Sequence, residues 1–543
     1  MKNTHIISTA ALMSLILFGC SRMDELDPQG EIILSEQLQN TIDRIPTRAD
    51  ASFNGMFTKL GAPGSVLGGT RPDDFGFIMM AFSNDLEGAD VVTANSGYNW
   101  FSSCGSLTSR NPDYVNPYIR YAAPYNTIAA ANDLIRSYSS AEDRETVYKL
   151  AQARAIRAFA YLNLAPYFQF SYALGGAGRP CVPMVTENTT DYTDNPRVTV
   201  ESVYSLIIDD LTFAIEHLEG YIRPDKSRID MQTAYGLRAR AYLDMEEWAL
   251  AAADAAQAAA GYSPASIDEV GSPSFFSLDE HNWIWGYDMT ADVAASNPYA
   301  TSSAWIRSFS GDGYSAGTQV YSRINILLYD KIPAGDVRKG WWVDENLDSP
   351  LLESVSWNGV TGNDVADLMI DNVKLPFLPY TNVKFGMNAI GSTLNDEDWP
   401  FMRVEEMILI QAEGLAKSGN AAGAKALLES FIREYRDPSY SADAGGRSLE
   451  DEIWFQRRVE LWGEGFSSND TRRLGKPLVR FHGGQESNFP EAFRFNMPAD
   501  DPWWLMRFTT SEKNTNFGII DNSGGTLPVQ DQYPELRDGV TDF

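Results

Sequence analysis

The chain has 543 residues, 44% of them hydrophobic and 12% aromatic, which suits an ordered protein with a large core and two to four structural units by length. Against 73 acidic residues stand 43 basic ones, a formal charge of −30. Such a surface repels phosphate backbones and anionic lipid headgroups, so nucleic-acid binding and a basic membrane patch are both excluded.

Residues 1–19 read as a signal peptide: Lys2 is followed by an apolar run from Ile6 to Leu17, too short for the ~20 residues of a spanning helix. The run ends in Leu17-Phe18-Gly19-Cys20, similar to a bacterial lipoprotein signal, with Cys20 as the lipidated first residue of the mature chain. Residues 20–44, with Asp24, Glu25, Asp27 and Pro28, read as a polar tether. The rest, 45–543, is expected to be a single globular unit.

That unit opens with a helix through Ala49, Phe53, Met56 and Leu60, stopped by Gly61 and Pro63. Residues 62–113 read as a loop-rich insertion. Tyr118 to Asn132 form a second helix, and Glu142 to Phe168 a third, opened by Ser139 and Glu142 at capping-box spacing. Beyond a Gly/Pro loop, helices are expected over Val203–Leu218, from Ala234 to Ala241, and through the Ala-rich run Glu247–Ala260. Small residues on paired helices let their axes approach, as in tetratricopeptide hairpins.

Between 262 and 400 the pattern breaks into short aromatic runs among Gly, Pro, Ser and Asp, and Trp283, Trp285 and Tyr287 alternate as one buried strand. Helices return at Arg403–Lys417 and Ala421–Arg433, joined by Ser418-Gly419-Asn420, and at Ser448–Trp462. The fold class is therefore mainly α: a tetratricopeptide-like scaffold, mostly 45–261 and 400–475, carrying irregular insertions and a few short strands.

Arg457, Glu460 and Glu464 recur at steps of three and four, so they are expected to pair with one another as a structural lock. Cys104 and Cys181 read as two separate buried thiols in preference to a disulfide. No histidine pair has metal-binding spacing. Asp344, Asn346 and Asp348 alternate like a calcium loop, but Ser349 and Val355 occupy its Gly and Glu positions, so no metal is expected. Gly313-Tyr314-Ser315-Ala316-Gly317 matches a nucleophile elbow without the preceding hydrophobic strand. No catalytic residue and no cofactor are assigned.

Three blocks together resemble the SusD/RagB family of outer-membrane nutrient-binding lipoproteins. One is Gln456-Arg457-Arg458-Val459-Glu460-Leu461-Trp462-Gly463-Glu464-Gly465 followed by Asp470, Arg472, Arg473, Leu474 and Gly475; it departs from the family pattern at Gln456, Ser467, Thr471 and Leu474. The second is Arg403 to Ala416, and the third joins Tyr118–Asn132 to the helix around Arg157-Ala158-Phe159-Ala160-Tyr161. The resemblance implies a surface-exposed, lipid-anchored binder that captures oligosaccharide, or in some members peptide, as the lid of a SusC/RagA-type TonB-dependent transporter. A secreted glycoside hydrolase is the remaining alternative. Sugar rings stack on aromatic faces while polar side chains satisfy their hydroxyls. The ligand-binding candidates are therefore loop aromatics and a neighbour: Tyr98, Asn99, Trp100, Tyr299, Trp305 and Tyr314. Trp341, Trp342 and Trp357 are assigned to the core.

Overall fold

A computed structural model describes residues 47–69 and 71–542. Cys20 and the tether lie outside the described residues. The chain divides between Asn54 and Gly55, inside the first helix, α1 (Thr47–Thr58).

Within the unit from Gly55 onward, the helical scaffold begins with α2 (Gly76–Glu87), inside the segment expected to be loop. All its residues except Ala81 are buried, so it carries no amphipathic period for a sequence reading to find. Seven helices follow the expected pattern: α3 (Val115–Ser137), α4 (Arg144–Phe168), α5 (Val200–His217), α6 (Met231–Asp244), α7 (Trp248–Ala258), α8 (Val404–Lys417) and α9 (Ala421–Tyr435). Each packs on the next, from α3 through α9, which is the hairpin stack the small residues predicted. The α7–α8 contact shows why: Ala251, Ala252, Ala255 and Ala258 are buried, and a Cβ at Gly414 would collide with the Trp248 carbonyl.

The start of α4 corrects one expectation. Asp143, not Ser139, is its cap and accepts from Thr146 N at 2.9 Å; Ser139 instead donates to the Arg136 carbonyl at the end of α3. A carboxylate beside the positive end of the helix is the better acceptor.

Between 262 and 400 no helix exceeds five residues. The strand β1 (Trp283–Tyr287) is fully buried and pairs antiparallel with β2 (Trp399–Arg403), which leads straight into α8. Trp341, Trp342 and Trp357 are buried, as expected. The Asp344 carboxylate accepts from Asn346 N and Asp348 N of its own turn. Cys104 and Cys181 are free and buried.

The helices α10 (Leu449–Glu460) and α11 (Ser467–Arg473) close the scaffold. Here the predicted lock is real but its partners are not. Arg457 bonds Asp470 at 3.0 Å; Glu460 accepts from Arg338, Arg403 and Arg436; Glu464 accepts from Arg403 and Lys384. Helical spacing was expected to put these groups on one face, but the helix ends at Glu460, all three groups are buried, and side chains from five other segments reach them first. In the tail, the buried Arg480 donates to the carbonyls of Leu86, Glu87 and Gly88, satisfying the end of α2.

Candidate functional site

Two loops far apart in sequence meet in an aromatic cluster. In the first, Asn99 is buried, donates to the Ala94 carbonyl at 2.8 Å and accepts from Phe101 N at 3.0 Å. This closes the turn on itself, turns Phe101 into the core and leaves its flanking aromatics outside. Tyr98 is 65% exposed and Trp100 39%. Asn99 was expected to touch ligand; it shapes the loop instead, because its amide is spent on backbone.

In the second loop, Thr301 caps a short helix, Ser302–Trp305, whose last residue is fully buried. Trp305 packs edge-on against Phe101 at 4.9 Å, and its indole N–H donates to the carbonyls of Pro72 (2.8 Å) and Tyr299 (3.0 Å). Trp305 is therefore corrected from a ligand contact to a foundation. Tyr314 lies flat on it, rings 4.4 Å apart and 5° from parallel, and Tyr299 stands edge-on to Tyr314 at 6.0 Å. The close approach depends on Gly313, where a Cβ would sit 2.8 Å from Ala304 Cα.

Polar groups that sequence reasoning did not single out complete the cluster. The Arg71 guanidinium covers the Trp100 ring at 4.7 Å and is held by the buried Asp73 through two bonds of 2.9 Å. Burial pushes the Asp73 pKa up despite the arginine. Burial also raises that of Tyr314, with the Trp100 side chain pulling it partly back by hydrogen bonding. The Asp312 carboxylate, accepting from the Tyr299 hydroxyl, holds the Tyr299 proton on. Beneath them the buried Asn395 donates to the carbonyls of Pro298 (2.8 Å) and Asp312 (2.7 Å) and accepts from Ser310, pinning three points of the loop. Only the Arg71-Pro72-Asp73-Asp74 run offered a signal, as a charged turn; nothing in the sequence links Asn395 to residues some 85 positions away.

Trp100, Tyr299 and Tyr314 thus form a partly exposed aromatic platform rimmed by Arg71 and Asp312. Tyr98 projects nearby in sequence but stacks on no other ring among the described residues. Ser315, the serine of the elbow-like pattern, is buried in a short helix, Tyr314–Gly317, with no strand leading directly into it.

Residues 79–243 match the family model described as "Starch-binding associating with outer membrane", and residues 356–525 match the model of the SusD family. The two matches together span more than half of the chain. The protein belongs to the SusD/RagB family. Among solved structures, this SusD/RagB chain is similar to a SusD-like carbohydrate binding protein from Bacteroides vulgatus ATCC 8482, with 24% identity, a TM-score of 0.70 and 87% of this chain covering 97% of that one. A SusD superfamily protein from Bacteroides thetaiotaomicron VPI-5482 matches with 19% identity, a TM-score of 0.66 and coverage of 88% and 99%. A laminarin binding SusD-like protein matches with 20% identity, a TM-score of 0.59 and coverage of 88% and 99%. These likenesses establish the shared fold. No curated protein matches. Proteins of the SusD/RagB family are associated with the outer membrane.

Proposed function

We propose that this SusD/RagB protein binds oligosaccharide at the cell surface, on the platform of Trp100, Tyr299 and Tyr314, and passes it to a SusC/RagA-type TonB-dependent transporter. The observation that carries the reading is the stacked Trp305–Tyr314 pair with Trp100 beside it: a supported aromatic face offers C–H stacking to a sugar ring at little entropic cost. Arg71 and Asp312 lie at its edge to bond hydroxyls. A laminarin-binding protein of the same fold supports a glycan over a peptide. Tyr98 is the adaptable outer contact in this reading.

The protein acts without chemistry on its ligand. Lipid on Cys20, with ~0.8 kcal/mol for each buried methylene, makes the attachment lasting, and the body serves as a lid over the transporter. A glycan-array screen on protein lacking residues 1–20 tests the binding directly. Saturable peptide binding with no glycan binding overturns it, and cleavage of bound glycan on prolonged incubation overturns the non-enzymatic reading. Cys20→Ala is expected to release the protein from the membrane fraction with ligand binding intact.

A further inference from the structure

A second site lies away from the platform. A cavity of about 130 Å³, partly open, is lined by α2, α4, α5, α6, β2, α8, α10 and α11, with Phe77, Phe159, Leu162 and Phe401 among its apolar walls. None of Arg71, Trp100, Tyr299 or Tyr314 lines it. Most of its charged groups are occupied: Arg240 by Glu406, Arg473 by Asp470 and Glu413, and Glu464 by Arg403 and Lys384.

Four polar atoms of the lining have no hydrogen-bond partner among the described residues: Arg457 Nη1, Arg472 Nη1, the Tyr172 hydroxyl and Asn469 Oδ1. Arg457 uses its other edge on Asp470, so a free N–H edge remains. Arg472 is more unusual. Its residue is 7% exposed, yet its guanidinium makes no ion pair and no hydrogen bond among the described residues; its Cζ lies over the Trp504 ring, 5.8 Å from the centroid. The Glu87 carboxylate acts on it only at a distance, being paired with Arg110 and Arg120; a buried guanidinium with no ion pair of its own is costly to keep, and a fold retains one most readily where something else supplies the anion. Its pKa, pulled down to about 10 by burial, still leaves it charged at neutral pH. Asp244 stands in the same lining with one hydrogen bond, from the Tyr204 hydroxyl at 2.8 Å.

We propose that this cavity binds a small organic carboxylate carrying a hydrogen-bond donor, the carboxylate on the free edges of Arg457 and Arg472 and the donor facing Asp244. Tyr172 donates a further bond to the acid. Size sets the class: a dry cavity of about 150 Å³ takes a guest as large as benzene, so this one suits an acid of about six heavy atoms, an α-hydroxy or α-amino acid. It is too small for a saccharide ring with its hydroxyls. The ligand therefore differs from the one assigned to the platform, and the two sites are independent in composition, although α2 lines the cavity with Phe77, Ala81 and Asn84 and supports the platform with Phe82, 4.8 Å from Phe101.

The test is calorimetry and thermal unfolding of the purified full chain with lactate and with alanine, each beside its neutral-carboxyl amide. At least one acid is expected to bind saturably at millimolar concentration or below and to raise the melting temperature, with its amide at least tenfold weaker. Arg472→Met is expected to weaken the acid at least tenfold while leaving glycan binding on the platform unchanged. Tyr172→Phe, which removes one hydroxyl, is expected to weaken it several-fold and serves where the arginine variant fails to fold. Asp244→Asn separates the sources, reducing alanine binding more than lactate binding if the donor is an ammonium. Absence of saturable binding of both acids, equal binding of acid and amide, equal affinity of Arg472→Met, or water alone in a crystal grown with the acid each overturns the proposal.

Discussion

Trp100→Ala separates ligand contact from packing. The side chain is 39% exposed, and a tryptophan of about 250 Å² therefore leaves about 100 Å² for a sugar to cover. At about 25 cal/mol/Å² that face is worth up to about 2.5 kcal/mol, or a loss of about ten- to sixty-fold in affinity once incomplete coverage is allowed for. What the fold loses is smaller. The Arg71–Trp100 contact at 4.7 Å is half-exposed and worth about 0.5–1 kcal/mol. Unfolding entropy of about 2.1 cal/mol/K per residue over roughly 500 residues gives about 1 kcal/mol per degree, so Tm should fall by about 1 °C. Trp305→Ala is the control from one layer down: fully buried, it should cost about 3–5 kcal/mol and about 3–5 °C. Isothermal calorimetry with a glycan identified on the array, and differential scanning calorimetry, read the two quantities. Unchanged affinity of Trp100→Ala, or a Tm loss matching that of Trp305→Ala, refutes the division between exposed face and foundation.

The remaining expectations concern the buried charges. Glu460→Ala leaves Arg338, Arg403 and Arg436 facing one another without their shared carboxylate, and should cost about 3–5 kcal/mol, read as a Tm loss of about 3–5 °C; a loss below 1 °C refutes the lattice as described. Glu413, Glu464 and Asp470 are held below their ordinary pKa by their arginine and lysine partners, overcoming burial, so the stability they add is present above the unfolded values near 4 and is lost as pH falls through the folded ones. Asp85 is opposite: burial pushes it up to about 8, the fold keeps its proton, and stability declines as pH rises from about 4 to 8. Asp85→Asn should flatten the fall in Tm between pH 6 and 8, and an unchanged slope there refutes the assignment. Cys104 and Cys181, buried and raised to about 11 and 12, should react with a thiol reagent only after denaturation, with labelling of the native chain counting against their burial.

The scaffold was legible where an amphipathic helix writes its buried stripe at three- and four-residue steps, as α5, α8, α9 and α10 do. The same logic missed α2, which is buried on nearly every side, its polar Ser83, Asn84, Asp85 and Glu87 included, so no polar face marks its period. Composition and spacing also determined, without any coordinates, that the chain is acidic, mainly helical and rich in loop aromatics, and the blocks around Arg403, Arg457 and Asp470 were enough to suggest its family. Partner choice was another matter. Spacing was expected to put Arg457, Glu460 and Glu464 on one face, but only the packed structure brought Arg338, Arg403, Arg436 and Asp470 to them. In the candidate site, chemistry named six residues, and the tertiary fold divided them: Trp305 and Asn99 went inside, where their polar atoms are spent on carbonyls, while Tyr98, Trp100, Tyr299 and Tyr314 stayed accessible to differing degrees. Sequence carries local periodicity and residue chemistry; which face meets water is set by contacts between segments hundreds of residues apart, and those exist only in the folded chain.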